Sequence, residues 1–252
     1  MRRKLLAAVF AVVAATAALT ACSSGNDDPN VLKIGTEGTY APFSYQDNGS
    51  ITGYDVEVAR AVGEKLGRKV EFVQTPWDAI FAGLESKRFD LVANQVTVNP
   101  ERAQKYSLSQ PYTTSEGVIV TKADNTGIHA LTDLSGKTCA QSVTSNWNKV
   151  AAGAGCKVEG VEGFVQAIQL LKNGRVDATV NDTLAVGEYS KKTNDSSVHV
   201  AGKTGETSKQ AFAGRKDSQA LIDQVNTALD QLRADGTLAK ISDKYFGTDV
   251  SK

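Results

Sequence analysis

The sequence has few of the side chains on which catalysis usually depends. It contains only two histidines, His129 and His199, both in polar surroundings, and neither pairs with a cysteine. Hydrolase, zinc-protease and nucleotide-loop motifs are absent, as is any cluster with metal-ligand spacing. We therefore expect a binding protein with no catalytic residue, no cofactor and no metal.

Long hydrophobic runs are also missing, except at the start of the chain. There Arg2, Arg3 and Lys4 precede an apolar run over residues 5–19. A membrane-spanning helix needs ~20 such residues, and no later segment approaches that length. A basic start, a short apolar run and small residues before Cys22 are typical of an export signal. Residues 1–21 are therefore predicted to be a signal peptide.

The Leu19-Thr20-Ala21-Cys22 sequence resembles the lipobox of bacterial lipoproteins, in which the cysteine is lipidated and becomes the mature N-terminus. The resemblance implies a lipid on Cys22, followed by a flexible polar tether over residues 22–30. An ordinary secretory signal is the alternative. With the lipid, the expected location is extracytoplasmic, on the outer face of the cell membrane.

The charge balance gives no reason to expect a nucleic-acid partner. The chain has 28 basic and 28 acidic residues. Removing the three basic residues of the signal leaves 25 against 28, a net charge of −3. Such a surface has no excess of positive charge to attract phosphates.

Two cysteines remain after Cys22, namely Cys139 and Cys156. In an oxidising compartment such a pair most simply forms a disulfide. Each lies in a strand-like run, 137–141 and 156–160, so the two could be neighbours in one sheet. Two buried free thiols are the alternative.

Short β-like runs alternate with helical patterns along the mature chain, which predicts an α/β fold with parallel sheets flanked by helices. A first series begins with a strand at 31–36 and closes near 118–120. A second, similar series runs from 138–141 to a strand at 177–180. The last stretch, 218–246, has a helical pattern and needs one of these units to pack on.

Residues 53–62 (GYDVEVARAV) resemble the signature helix of bacterial solute-binding proteins for polar amino acids, extracellular family 3. The resemblance continues over residues 31–247, through Trp77-Asp78, Pro100-Glu101-Arg102 and Gly174-Arg175-Val176-Asp177. It implies a two-lobed, periplasmic-binding-protein-like fold (type II) with two hinge strands and the ligand in the cleft. Lobe 1 would comprise residues 31–119 and 212–252, and lobe 2 residues 120–211.

The same resemblance implies a function. Members of this family capture a small amino acid outside the cell and hand it to the permease of an ABC transporter, so we expect a monomer with these two partners. A cyclohexadienyl-dehydratase-like enzyme on the same fold is one alternative. A ligand sensor for a signalling partner is another, although the chain has no output segment of its own.

An amino acid is a zwitterion, so burying it requires a partner for each charge. By resemblance, Arg102 and Thr97 would bind the carboxylate, with Thr144 adding an amide at a helix start. Asp182 would bind the ammonium. A surface salt bridge is the alternative role for Arg102, and a helix N-cap for Asp182. Val143 stands where the family often has glycine, so the path of its loop stays open.

The resemblance also predicts the walls of the site. Tyr40 and Trp77 would provide aromatic faces for the ligand side chain, with core packing as the alternative. Glu37 would read a positive group at the far end of the ligand, or only brace a loop. Asn94 and Gln95 offer side-chain amides that both donate and accept.

The stretches 37–40, 94–97 and 191–195 look most like those of cystine-binding members of the family. They imply L-cystine as the ligand. Glutamine, arginine and cysteine are the alternatives.

Overall fold

The computed structural model describes residues 28–252 of the chain. The predicted signal peptide, the predicted lipidation site Cys22 and most of the predicted tether lie outside the described residues.

Helices and strands alternate over most of the described chain. The strands are β1 (Val31–Thr36), β2 (Thr39–Tyr40), β3 (Ser44–Asp47), β4 (Ser50–Thr52), β5 (Lys69–Gln74), β6 (Leu91–Thr97), β7 (Tyr106–Leu108), β8 (Thr113–Lys122), β9 (Thr138–Gln141), β10 (Lys157–Gly160), β11 (Thr179–Asp182) and β12 (Val198–Arg215). The helices are α1 (Tyr54–Lys65), α2 (Trp77–Glu85), α3 (Pro100–Lys105), α4 (Asn146–Gly153), α5 (Phe164–Lys172), α6 (Thr183–Thr193), α7 (Gln219–Ala234) and α8 (Thr237–Phe246). This arrangement confirms the α/β class.

The main sheet has the strand order β11-β8-β12-β6-β1-β5, with β7 beside β12. Strand β1 is parallel to β5 and β6, as the alternating pattern predicts. The long strands β8 and β12 instead pair antiparallel with each other, and β12 pairs antiparallel with β6. The sheet is therefore mixed, because these two strands connect the two halves of the molecule in opposite directions.

The predicted lobe boundaries, 119/120 and 211/212, fall inside β8 and β12 respectively. The division into lobes at those residues stays a prediction. Below, lobe 1 and lobe 2 denote the two sequence ranges given above.

Each half has its own hydrophobic core. In lobe 1, α1 packs Val58 and Val62 against Leu32 and Ile34 of β1 and against Ile222 of α7. In lobe 2, helix α5 turns its apolar face, Ala167, Ile168 and Leu171, onto β8. The helical spacing of these apolar residues therefore covers both halves of the sheet.

The C-terminal stretch 218–246 is helical, as the pattern predicts, and it is divided into two helices. Helix α7 ends at Ala234, and Gly236 before α8 has a φ of 76°. That left-handed conformation ends a helix readily at glycine, which has no Cβ to oppose it. Both helices contact α1, so the C-terminal stretch packs on lobe 1.

Cys139 and Cys156 come together in lobe 2, because β9 and β10 are parallel neighbours. Cys139 is in β9, and Cys156 immediately precedes β10. Their Cα atoms are 6.0 Å apart and their sulfur atoms are at bonding distance. The oxidation state of the pair in the exported protein stays a prediction.

Candidate functional site: a polar cleft between the lobes

A cavity lies between the two lobes, where the carboxyl ends of β1 and β6 face β9 and β11. The space inside it that is open to the centre of a water-sized sphere is about 60 Å³. Residues from both lobes line it: Glu37, Tyr40, Trp77, Asn94, Gln95, Thr97, Ala140, Gln141, Ser142, Ser145, Asn146, Trp147, Val161, Gly163, Phe164, Ala167, Thr179, Asn181, Asp182 and Gln210. Its only ionisable carboxylates are Glu37 and Asp182, and no lysine or arginine lines it.

The structure brings most of the predicted site residues to this cavity. Those on its wall are Glu37, Tyr40, Trp77, Asn94, Gln95, Thr97 and Asp182. Arg102 and Thr144 are not among the lining residues, and each is engaged by neighbouring groups.

Glu37 and Asn94 form two hydrogen bonds with each other at the end of β1. The Asn94 amide donates to Glu37 Oε2 at 2.5 Å, and its Oδ1 accepts from the Glu37 backbone N–H at 2.8 Å. Burial raises the pKa of Glu37 to about 7, and the hydrogen bond from Asn94 opposes that shift. Asn94 therefore fixes the carboxylate of Glu37, which has no basic partner within residues 28–252.

Gln95 is held by Asp55, which the sequence did not single out. Asp55 accepts from the Gln95 backbone N–H at 2.7 Å and from its Nε2 at 2.6 Å. Gln95 has a φ of 50°, a strained region for a residue with a side chain.

Gly53 lets α1 begin next to this pair, because a Cβ at position 53 would lie 2.3 Å from the Phe43 carbonyl oxygen. The Gly53-Tyr54-Asp55 signature thus has a geometric reason.

Asp182 caps α6 and also lines the cavity, so the N-cap role is present and the binding of the ligand ammonium stays a prediction. Its Oδ1 accepts from the Leu184 backbone N–H at 2.8 Å, and its Oδ2 accepts a short hydrogen bond from the Ser115 hydroxyl. Burial raises the pKa of Asp182 to about 6, and these two donors oppose that shift. A nearby cation would favour its charged form.

Arg102 lies behind the cavity wall, with its Cζ 5.2 Å from the Trp77 ring and 5.6 Å from the Phe81 ring. Its guanidinium donates to the Thr97 and Thr144 carbonyl oxygens, at 3.0 and 3.5 Å. Only 7% of the residue is exposed, and burial lowers its pKa to about 10. Among residues 28–252 it forms no ion pair with a carboxylate, so the surface salt bridge that was its alternative role is not present there.

Thr144 contacts the other lobe instead of the cavity. Its backbone N–H and its hydroxyl both donate to Asp78 Oδ1, at 3.0 and 2.6 Å. Helix α4 begins two residues later, after the N-cap Ser145. The donors expected for a ligand carboxylate are therefore occupied by a carboxylate of lobe 1.

The two predicted aromatic walls stand on lobe 1. The Tyr40 hydroxyl donates to Asn181 Oδ1 of lobe 2 at 2.7 Å. Trp77 is 7% exposed, and its indole Nε1 is buried without a hydrogen-bond acceptor. Tyr40 therefore joins the lobes, while Trp77 has a free donor as well as an apolar face.

The sequence did not reveal several residues that line the cavity from lobe 2 and from the strands that connect the lobes. Among these, Gln141 Nε2 and Gln210 Oε1 are buried without a hydrogen-bond partner, as is Gln95 Oε1. Buried polar atoms are rarely left without a partner, so unpaired atoms around one cavity indicate that a polar ligand supplies the missing partners. A glutamine in a polar strand segment has no pattern that reveals this role.

Two further features concern the described chain as a whole. Within residues 28–252, no group of three or more His, Cys, Asp or Glu side chains is arranged to hold a metal ion. In the same range, no helix combines the length and the apolar character needed to cross a membrane.

The sequence matches the family described as bacterial extracellular solute-binding proteins, family 3, over residues 32–248. The L-cystine-binding protein TcyA of Bacillus subtilis (strain 168) is 51% identical over 269 residues, which cover 99% of this chain and 100% of that protein.

Two solved structures show similar folds. An ancestral arginine-binding protein bound to arginine has a TM-score of 0.81 and 37% identity, over 86% of this chain and 99% of its own. The L-cystine solute receptor of Neisseria gonorrhoeae, unliganded and open, has a TM-score of 0.60 and 43% identity, over 88% and 94%. The lobes here are thus arranged more like those of the ligand-bound relative, although the open one is closer in sequence.

These matches confirm the predicted family and fold and place the chain among binding proteins, not dehydratases. The chain belongs to the bacterial extracellular solute-binding proteins of family 3.

Proposed function

We propose that this protein captures L-cystine outside the cell and delivers it to the permease of an ABC importer. The main support is the cavity itself, whose two carboxylates, Glu37 and Asp182, have no basic partner on its wall. Cystine carries two ammonium groups, one for each carboxylate. The 51% identity to a cystine-binding protein along its whole length supports the same ligand.

Each end of cystine is also a carboxylate, and we propose that Arg102 binds one of them. A buried cation without an acidic partner is costly, and a ligand carboxylate removes that cost. The guanidinium has five N–H donors, and its hydrogen bonds to two backbone carbonyl oxygens leave the other donors available to a ligand. Thr97, whose carbonyl oxygen orients Arg102, adds a hydroxyl on the cavity wall.

Tyr40 and Trp77 are proposed to contact the central disulfide of the ligand, because polarizable sulfur packs well against aromatic rings. Thr144 is proposed to act through the closed state, since Asp78 occupies its donors. Asn94 and Gln95 complete the site, the first by orienting Glu37 and the second through its free oxygen.

The alternative ligands differ in what they offer Glu37. Arginine would bring a second cation but only one carboxylate, and an arginine complex of a related protein shows that the fold accepts it. Glutamine and cysteine would leave Glu37 unpaired in a buried site, which weakens binding.

The anchor, the oligomeric state and the transport partner are part of the same proposal. We expect a lipid on Cys22 to hold a monomer at the outer face of the membrane, with residues 22–30 as a tether. Mass spectrometry of the N-terminal peptide would show the diacylglycerol mass on Cys22, and an unmodified cysteine would contradict it.

A calorimetric panel of amino acids tests the ligand. The protein is first unfolded and refolded to remove any ligand retained through purification, and titrated under non-reducing conditions. Cystine should bind most tightly, and cysteine more weakly. Tight binding of glutamine or arginine with no heat from cystine would overturn the cystine assignment. Glu37→Gln is the matched variant, which should weaken cystine and arginine but not glutamine.

A further inference from the structure

Gln210 lies on β12, where that strand pairs with both β6 and β8. Its side chain lines the cavity and the residue is only 1% exposed. Both hydrogens of its amide are used, because Nε2 donates to Ser115 Oγ at 3.1 Å and to Ser208 Oγ at 2.9 Å. The remaining polar atom of the side chain is Oε1, which is buried and has no hydrogen-bond partner in the described part of the chain.

The neighbouring hydroxyl fixes which way this amide points. Ser115 donates its single proton to Asp182 Oδ2, so its oxygen can only accept from Gln210. Turning the amide over would place two acceptors against each other. The chain Gln210, Ser115, Asp182 therefore presents an amide oxygen and a carboxylate together, both as acceptors.

We infer that Gln210 is a ligand-binding residue whose Oε1 accepts a hydrogen bond from the α-ammonium of the bound amino acid, with Ser115 as its positioning residue. An ammonium has three N–H donors, and Asp182 alone does not provide a separate acceptor for each of them. This inference rests on the proposed function only in its choice of ligand, because every amino acid carries the α-ammonium.

Ser115 and Ser208 provide a matched pair of variants. Each hydroxyl accepts from Gln210 Nε2, and both residues are buried. Ser115 also donates to Asp182, whereas Ser208 also shares a hydrogen bond with the Thr97 hydroxyl at 3.1 Å, so the Ser208 variant controls for the pH dependence and not for the affinity itself. Replacing Ser115 by alanine removes a donor that stabilises the charged Asp182, so its pKa should rise further. Replacing Ser208 by alanine leaves that donor in place.

The experiment measures cystine binding by calorimetry from pH 5.5 to 8 for the wild type, Gln210→Met, Ser115→Ala and Ser208→Ala. Gln210→Met should weaken binding about tenfold or more at pH 7.5 while the far-ultraviolet circular dichroism is unchanged. Ser115→Ala should weaken binding and move its pH dependence to higher pH, whereas Ser208→Ala should leave the pH dependence in place. Tyr40 and Asp55 also sense the charge of Asp182, and Glu37 titrates nearby, but all three are the same in each variant.

Wild-type affinity in Gln210→Met, or the same pH dependence in Ser115→Ala and Ser208→Ala, would overturn the inference. If Gln210→Met does not fold, the serine pair decides. If the wild type binds another amino acid instead of cystine, the cystine assignment fails, and the same variants titrated with that amino acid still test Gln210.

Discussion

At the scale of single residues, the cleft is defined by charges that the protein leaves without partners. Arg102 is buried behind Trp77 without a carboxylate among the described residues, while Glu37 and Asp182 line the cavity without a basic neighbour on its wall. Burying such charges is unfavourable unless a partner arrives. Because the protein keeps these unlike charges apart, a zwitterionic ligand can pair with both kinds. In the empty protein the same unpaired charges lower the stability of the fold.

The first residue-scale prediction concerns Arg102. Arg102→Ala should weaken binding of the cognate amino acid by roughly 2–5 kcal/mol, because the ligand carboxylate would be buried unpaired. Calorimetry measures the change. Arg60→Ala is a suitable control, since Arg60 also lies over an aromatic ring, Phe72, but is exposed and does not line the cavity. Equal losses from both variants, or none from Arg102→Ala, would contradict the assigned role.

The second concerns the pH dependence of binding through Glu37. Burial raises its pKa to about 7, so the empty site carries a proton over part of the range from pH 5.5 to 7.5. A ligand ammonium favours the charged form and expels that proton, so affinity should increase as the pH rises through this window. Asp182, with a pKa of about 6, acts in the same direction.

Titration in buffers of different ionisation enthalpy counts the protons released. Glu37→Gln should release fewer protons than the wild type and give a flatter pH profile. An unchanged proton count in this variant would show that Glu37 is not near the second ammonium. The stability of the empty protein should change in the opposite direction to the affinity. Because folding raises the pKa of this carboxyl group, the free energy of unfolding should fall as the pH rises from about 4.5 to 7.

At the scale of elements, local patterns predict much of the fold. The helical spacing of Val56, Ala59 and Val62 identifies α1, and Asn99-Pro100 predicts the start of α3, where Asn99 Oδ1 accepts from the Arg102 N–H. These features depend on neighbours only a few residues apart. Local sequence patterns therefore also predict the helices and strands on which most residues of the candidate site lie.

Features that depend on pairing between strands far apart in the sequence could not be predicted. Strand β12 spans 18 residues, yet its first part is polar and rich in glycine, so the local sequence does not predict a strand of this length. Its strand conformation comes from pairing with β8, about 85 residues earlier in the chain. The role of Gln210 has the same origin, because Ser115 of β8 reaches it only through that pairing.

The disulfide supplies the prediction at this scale. Cys139 and Cys156 close a loop with a sequence separation of 17, and such a link contributes roughly 3 kcal/mol by the chain-entropy model. Peptide mapping without reductant should recover the linked pair from the exported protein. Replacing both cysteines by serine should lower the free energy of unfolding by about that amount while cystine still binds, since neither lines the cavity. Two free, alkylatable thiols in the native protein would refute the link.

At the scale of the whole molecule, contacts between the lobes decide when the site is complete. Tyr40 donates to Asn181, Asp78 accepts from Thr144, and Lys149 forms an ion pair with Glu101, each across the cleft. The TM-scores of 0.81 to a ligand-bound relative and 0.60 to an open one agree with a closed arrangement. If the ligand favours the same closed state as these contacts, we expect binding and closure to be coupled.

The contact between Asp78 and Thr144 allows that coupling to be measured apart from ligand contacts. Neither residue lines the cavity, yet Asp78 accepts two hydrogen bonds from Thr144. Asp78→Ala should therefore weaken cystine binding by destabilising the closed state, by about 1 kcal/mol or roughly fivefold, because partly exposed hydrogen bonds contribute little each. Asp78→Asn keeps an acceptor oxygen and should recover part of the loss. Small-angle X-ray scattering should show the same ligand-saturated radius of gyration for all three proteins, with the alanine variant needing more ligand to reach it. Tighter binding by Asp78→Ala would mean instead that its carboxylate competes with the ligand carboxylate for Thr144.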